Sequence, residues 1–180
     1  MWDYQDENWD GCDEDVRDGA VATISGTCTG GFDLKVQLDA DEAHQLYEKT
    51  PRANGEEDDR IELGQLGERV AGTFLLRRGY ELVERNWRCR YGEADLIAID
   101  GEDLVFVEVK TRSGHREGFP EDAVTPQKRH RYEQIAACYL ADKRLEGSFN
   151  VRFDVVAILV LGPHRAFLRH HRNAFYAAGE

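Results

Sequence analysis

The sequence predicts an α/β domain, and three observations carry that expectation. A strand pair over residues 92–112 is apolar on both faces, which places it in the middle of a sheet. Residues 63–78 and the run that opens at Pro126 carry apolar side chains at helical spacing. Residues 151–161, VRFDVVAILVL, are β-branched and apolar enough for a further central strand.

Charge divides the chain unevenly. Residues 1–60 hold 17 Asp and Glu against 5 Lys and Arg, whereas residues 61–180 hold 18 of each sign. The net charge of −12 therefore belongs to the first third. This predicts an acidic N-terminal extension over 1–60 and a separate domain over 61–180, and it excludes a salt-adapted, uniformly acidic surface. No apolar run reaches 18 residues, and the chain opens on an acidic segment instead of a basic and hydrophobic one. A soluble cytoplasmic protein without a membrane partner is expected. Cys12, Cys28, Cys89 and Cys138 show neither CxxC spacing nor a His at a zinc-finger interval, which fits reduced thiols.

In chain order, residues 1–20 are too acidic to bury much and are expected to be disordered. Residues 32–38 (FDLKVQL) alternate as a strand, and 21–24 form its hairpin partner across a Gly-rich turn. Asp39 or Asp41 caps a short helix that runs through Lys49 and ends before Pro51. Residues 53–60, ANGEEDDR, read as a linker. The extension is either a solubilising arm or an acidic competitor for a basic cleft.

The first long helix, 63–78, stops at Gly79, with Leu63, Leu66, Val70 and Phe74 in one apolar row. Gly64, Gly67, Ala71 and Gly72 allow it to approach a sheet closely. Glu68 lies near its buried edge, as an ordinary helix glutamate or as a site acid. Residues 80–86 read as a strand, followed by the basic positions Arg85, Arg88 and Arg90.

Asp100-Gly101 is a turn pair between two alternating segments. With Ile99 paired to Leu104, Asp95 falls opposite Glu108 and Glu93 opposite Lys110, all on one face. Ala94, Leu96, Ala98, Val105, Val107 and Val109 share the other face. Carboxylates about 5 Å apart across a ladder destabilise it unless a proton or a cation joins them. Mg²⁺ or Mn²⁺ removes the conflict, and carboxylates with a lysine around such an ion suit phosphodiester hydrolysis. The alternative is a solvated outer face.

Residues 111–124 form a long polar loop beside this face. Thr125 caps and Pro126 opens the second helix, which packs through Tyr132, Ile135, Ala136, Tyr139 and Leu140. The basic run over 127–131 sits at that helix's N-terminus, which suits either a phosphate or solvent. Residues 165–170 read as an edge strand, with His164, His170 and His171 at the surface or facing DNA, not ligating metal.

Taken together, GQLGE, NWRCRYGEADLIAID, LVFVEVKTRS, GFPEDAVTPQKRHR, RFDVVAI and HHRNAF resemble the YraN-like family of bacterial proteins, which is grouped with the restriction-endonuclease-like PD-(D/E)XK nucleases. The resemblance covers residues 63–176 and none of 1–60. It implies an α/β fold with a central mixed β-sheet flanked by helices. It also implies a metal-dependent DNA endonuclease that acts on branched or otherwise structured DNA, with Mg²⁺ or Mn²⁺ as cofactor. Asp95 and Glu108 match the superfamily's metal-binding acids, and Lys110 its lysine. Glu68 matches the helix acid, also a metal-binding position, of the branch that resembles archaeal Holliday-junction resolvases. Gln127 and Lys128 match positions that support the site or touch phosphate. Ala94 stands where the superfamily name has a proline, and Glu93 is an additional acid whose role stays open. Arg88, Arg90, Arg112, Arg116, Lys128, Arg129 and Arg131 are expected to hold the nucleic-acid backbone. A second class of function is a catalytically silent nucleic-acid-binding or protein-docking module, which the neutral charge of 61–180 favours. A homodimer is left open.

Overall fold

A computed structural model of the chain describes residues 22–26, 32–51, 57–114, 126–144 and 150–174. Within them lie strands β1 (Ala22–Gly26), β2 (Phe32–Gln37), β3 (Glu81–Cys89), β4 (Gly92–Asp100), β5 (Asp103–Ser113), β6 (Asn150–Gly162) and β7 (Arg165–His171). The helices are α1 (Ala40–Glu48), α2 (Glu57–Arg77) and α3 (Pro126–Asp142). The strands form one seven-stranded sheet in the order β1-β2-β7-β6-β5-β4-β3. Only β5 and β6 run parallel, so the sheet is mixed and flanked by helices, as expected. A parallel pair needs a crossover, and α3 supplies it.

Two apolar clusters hold the helices to opposite faces of the sheet. On one side Leu96, Ala98, Val105, Val107, Val156 and Ile158 meet Leu63, Leu66, Val70 and Phe74 of α2 and Ala43 and Leu46 of α1. On the other, Ile97, Leu104, Phe106 and Phe153 meet Tyr132, Ile135, Ala136 and Tyr139 of α3. The edges of Trp87 and Phe106 face Tyr139 with ring centroids 5.1 and 5.7 Å apart. At Gly67 the α2 backbone rests on β5: an added Cβ would lie 1.8 Å from the Thr111 hydroxyl oxygen. The close approach expected of α2 is therefore real at Gly67, whereas at Gly64 the same Cβ would meet nothing within 4 Å.

Several expectations are corrected by long-range pairing. α2 starts at Glu57, absorbing half of the expected linker; Glu57, Asp58 and Asp59 fill its first turn, where the helix dipole favours negative charge. β3 continues to Cys89 because Arg88 and Cys89 find partners in Glu93 and Gly92. β5 continues through Ser113, so Thr111 to Ser113, expected in a loop, pair with Ile158 to Val160 of β6. β7 is an internal strand, not an edge, because β2 pairs along its outer side. The short helix and hairpin of the extension are present, with Asp39 capping α1 by accepting from the Glu42 N–H at 2.8 Å. Val36, Leu38, Ala43 and Leu46 are buried in the cluster that α2 also occupies, so residues 32–50 share its core. The expected disorder of 1–20, the Thr125 cap and the Gly118-Pro120 part of the loop fall outside the described residues.

His170 is also corrected: it is 2% exposed and not at the surface. Its Nε2 lies 2.9 Å from Oδ2 of Asp154, which is itself 1% exposed. Arg152 joins them: its Nε donates to Asp154 at 3.0 Å, and its terminal nitrogens reach Asp100, Asp103 and the Tyr80 hydroxyl. Burial would push the Asp154 carboxyl up, but His170, Arg152 and the Asn173 N–H outweigh it and hold its pKa below the usual carboxylate value. This network ties β6 and β7 to the β4–β5 turn, at the end of the hairpin away from the site described next. His164 stays exposed and stacks on His44 at 5.5 Å. Among the described residues no helix is long and apolar enough to cross a membrane.

Candidate active site

The hairpin has the expected register near its turn: Ile99 pairs with Leu104, and the ladder runs on to Leu96 opposite Val107. Beyond that pair it stops. The Val109 N–H, which a continuing strand would have used, instead donates to Oδ2 of Asp95 at 2.7 Å. The expected cross-strand pairs Asp95–Glu108 and Glu93–Lys110 are therefore absent from the ladder, and the alternation of faces breaks here. Leu96 and Ala98 lie in the α2-side cluster, but Ala94, expected beside them, packs on the α3 side against β3, opposite Trp87. Where β4 and β5 part, a cavity of about 600 Å³ opens between them and the two helices.

Its walls bring together most of the residues singled out in the sequence. β4 contributes Glu93 and Asp95, β5 contributes Glu108, Val109 and Lys110, α2 contributes Gly64 and Glu68, and α3 contributes Gln127, Lys128, Arg131 and Tyr132. Glu108 and Lys110 are two apart on one strand and share a face, with Nζ 2.5 Å from Oε1. Lys128 approaches the same carboxylate oxygen at 3.5 Å from the first turn of α3. Glu93 lies at the rim and pairs across to Arg88 at 3.0 Å, with 47% of its side chain exposed. That arrangement makes it a partner of Arg88.

The electrostatics centre on Asp95. Burial pushes its carboxyl up to about 7, and the negative charges of Glu108 and Glu68 add to the rise. The Val109 N–H and Lys110 pull the other way without cancelling it. A carboxylate held away from water beside two others is a group whose charge a cation would relieve. All donors are hard oxygens, which suits Mg²⁺ or Mn²⁺. As placed, no three His, Cys, Asp or Glu side chains among the described residues are gathered closely enough to hold an ion. Each acid has its own donor: Asp95 the Val109 N–H, Glu108 the two lysines, and Glu68 the amide of Asn86 at 3.0 Å. The donor set fits a hard divalent ion in type, and binding one would exchange these contacts for metal–oxygen bonds.

Of the basic residues expected on nucleic acid, Lys128 and Arg131 line the cavity. The Arg131 guanidinium covers Gly92, where an added Cβ would fall 2.7 Å from it. Gly92 also has φ +140°, a conformation that L side chains rarely adopt, so the backbone favours glycine there. Arg88 faces Glu93, Arg90 lies 4.7 Å over the Tyr91 ring, and Arg112 is exposed at the end of β5. Arg129 is half-buried on α3 outside the cavity, and Arg116 lies outside the described residues. Sequence reasoning missed Asn86, although its one signal was present: asparagine is among the few residues that tolerate the left-handed backbone it adopts, φ 51°. A second cavity, of about 550 Å³, adjoins the Gly101 turn and is lined mainly by Val83, Ile99, Leu104 and Tyr139. It offers one ion pair, Glu84–Lys143, and no cluster of acids.

The family model described as "Uncharacterised protein family UPF0102" matches residues 67–158, a span that includes Glu68, Asp95, Glu108, Lys110 and Lys128. A UPF0102 protein of Syntrophus aciditrophicus is 49% identical over 118 residues, covering 66% of this chain and 91% of its own length. One from Nocardia farcinica is 47% identical over 118 residues, covering 65% and 91% respectively. Another, from Geobacter sulfurreducens, is 43% identical over 128 residues, covering 71% and 98%.

Proposed function

Because the chain belongs to the uncharacterised protein family UPF0102, the YraN family, whose name assigns no activity, we propose a function from the site itself: a metal-dependent DNA endonuclease. The observation that carries the proposal is the convergence of Asp95, Glu108, Glu68 and Lys110 in one cavity bordered by Lys128 and Arg131. Such a cluster of acids costs the fold stability, and a hard cation would repay it.

Asp95 and Glu108 would hold the ion, with Glu68 as the third acid from α2. The bound ion would polarise the scissile phosphate and lower the pKa of the attacking water. Lys110 then orients that water and stabilises charge developing on the phosphate, as an ammonium fixed beside Glu108 is placed to do. Lys128 and Arg131 bind the phosphate backbone at the cavity mouth, and Gln127 supports them from the start of α3. Among the described residues no base-reading element accompanies them, which favours recognition of shape and hence branched or otherwise structured DNA. A cytoplasmic DNA-processing role is consistent with this chemistry.

The test is incubation of the full chain with branched and linear DNA in Mg²⁺, Mn²⁺ or EDTA. Metal-dependent nicking is expected, lowered at least about a hundredfold in Asp95→Ala and in Lys110→Ala. The second reading, a silent nucleic-acid-binding or protein-docking module, is favoured by the engagement of Glu108 with two lysines. Metal-independent DNA binding without products would sink the nuclease and leave that module.

A further inference from the structure

β3 contains a residue whose backbone and side chain both depart from a regular strand. Asn86 has φ 51°, in the left-handed region that few residues other than glycine enter. The pairs on either side, Arg85 with Leu96 and Trp87 with Ala94, put Asn86 across from Asp95. From that position its Nδ2 donates to Oε2 of Glu68 at 3.0 Å, reaching from the sheet to α2. Asn86 is exposed, so packing does not account for it. Glycine would satisfy the backbone equally well; the amide is what asparagine adds.

The kind of donor matters. Arg85 and Arg88 are neighbours on the same strand, but the Arg85 guanidinium lies against Gly72 and Arg88 pairs with Glu93; the donor to Glu68 is a neutral amide. A guanidinium or ammonium would fix the carboxylate and neutralise it at once. An amide N–H fixes one oxygen and leaves the acid's full charge for another partner.

We propose that Asn86 is a positioning residue that holds Glu68 beside Asp95 as a cation ligand, an inference that rests on the metal-dependent reading of this site. It acts through Glu68 and touches neither ion nor substrate. Outer groups that orient a ligand commonly change metal affinity by about 10–100-fold when removed.

Asn86→Gly keeps the backbone conformation and deletes the amide, so it isolates the side chain. Mn²⁺ binding to the full-length chain, followed calorimetrically, is the primary measurement, made on wild type, Asn86→Gly, Glu68→Gln and the double variant. Asn86→Gly should weaken Mn²⁺ binding about tenfold while the metal-free melting temperature stays at or above that of wild type. In the Glu68→Gln background the same substitution should have no further effect, because its route is gone. The Mg²⁺ midpoint for nicking should rise in parallel, with the rate recovering at saturating Mg²⁺. Unchanged Mn²⁺ affinity in Asn86→Gly, or losses that simply add in the double variant, would overturn the role of Asn86 and leave the nuclease reading intact. A wild-type chain that binds no Mn²⁺ would remove both.

Discussion

Asp95→Asn should make the protein more stable at pH 8, and the gain should disappear in acid. The asparagine keeps an oxygen to accept from the Val109 N–H and loses only the charge, so the comparison isolates the cost of ionising this group. Its carboxyl titrates at about 7 in the fold against 3.8 for the free group. Between those values the fold retains a proton that the unfolded chain has released. Stability from this group therefore falls as pH rises through the window and levels off above it. A gap of about three units at about 1.4 kcal/mol each sets a ceiling near 4 kcal/mol. Because the cavity is open and the side chain half-buried, solvent screening reduces this to about 2 kcal/mol. For a chain of this size that corresponds to a rise of about 4–8 °C in Tm. Thermal melts of both proteins at pH 8, 6 and 4, with chelator present, read the effect directly. At pH 8, Mn²⁺ at a hundred times its Kd should raise wild-type stability by about 2.7 kcal/mol, and Asp95→Asn by much less. No gain at pH 8, or the same gain at pH 4, would refute the claim that the site stores this cost.

Three further substitutions test how the helix and the sheet around the site are held. Gly67→Ala drives a Cβ into the Thr111 hydroxyl and should destabilise the chain by about 1–3 kcal/mol, whereas Gly64→Ala, one turn earlier and facing open space, should stabilise it by up to about 1 kcal/mol. Equal urea midpoints for the two would show that α2 does not rest on β5 at Gly67. Asp154→Ala leaves Arg152 and His170 buried without their shared acid and should cost about 3–5 kcal/mol in urea unfolding. Its folded pKa is depressed, so its contribution is present above the unfolded value of 3.8 and lost as pH falls below it. A loss below about 1 kcal/mol at pH 7 would remove the network from the fold's main supports.

The parts of this molecule that were legible in the sequence are those fixed by local chemistry. Asp100-Gly101 and the alternation around it were enough to give the Ile99–Leu104 register, and Pro126 marked the first residue of α3. The acids on β4 and β5 were found because charge in an otherwise apolar strand pair requires a reason, whereas Glu68 was marked by the family resemblance and Lys128 by that resemblance and its place in the basic run that opens α3. What escaped was set by partners far away in the chain. β7 reads as an edge strand until β2, more than 120 residues earlier in the sequence, covers it, and His170 becomes a core residue because Phe74, Tyr80 and Asp154 pack around its ring. Arg152 and Asp154 lay two apart in an apolar run, the same signal that marked Glu108 and Lys110, and their role as a buried lock could not be told from a catalytic one by spacing alone.

That similarity shows how the fold separates its two sets of buried charge. At the turn end of the hairpin, opposite charges are matched: Arg152 meets Asp154, Asp100 and Asp103, and the cluster is closed. At the other end the ladder breaks at Asp95, and four acids share a cavity with two lysines and an arginine that also face solvent. A closed network stabilises the sheet and needs nothing added to it. An open one, whose central carboxyl is driven up to about 7, keeps an unmet preference for positive charge. The break in pairing creates that difference, because a regular ladder through Asp95 and Glu108 would have used the Val109 N–H in the sheet and left no cavity. Asn86, left-handed across from Asp95, lies where the opposite strand yields to the same break. Under the proposed function, this irregularity of the ladder is what would turn two strands of a stable sheet into a place for an ion and a phosphate.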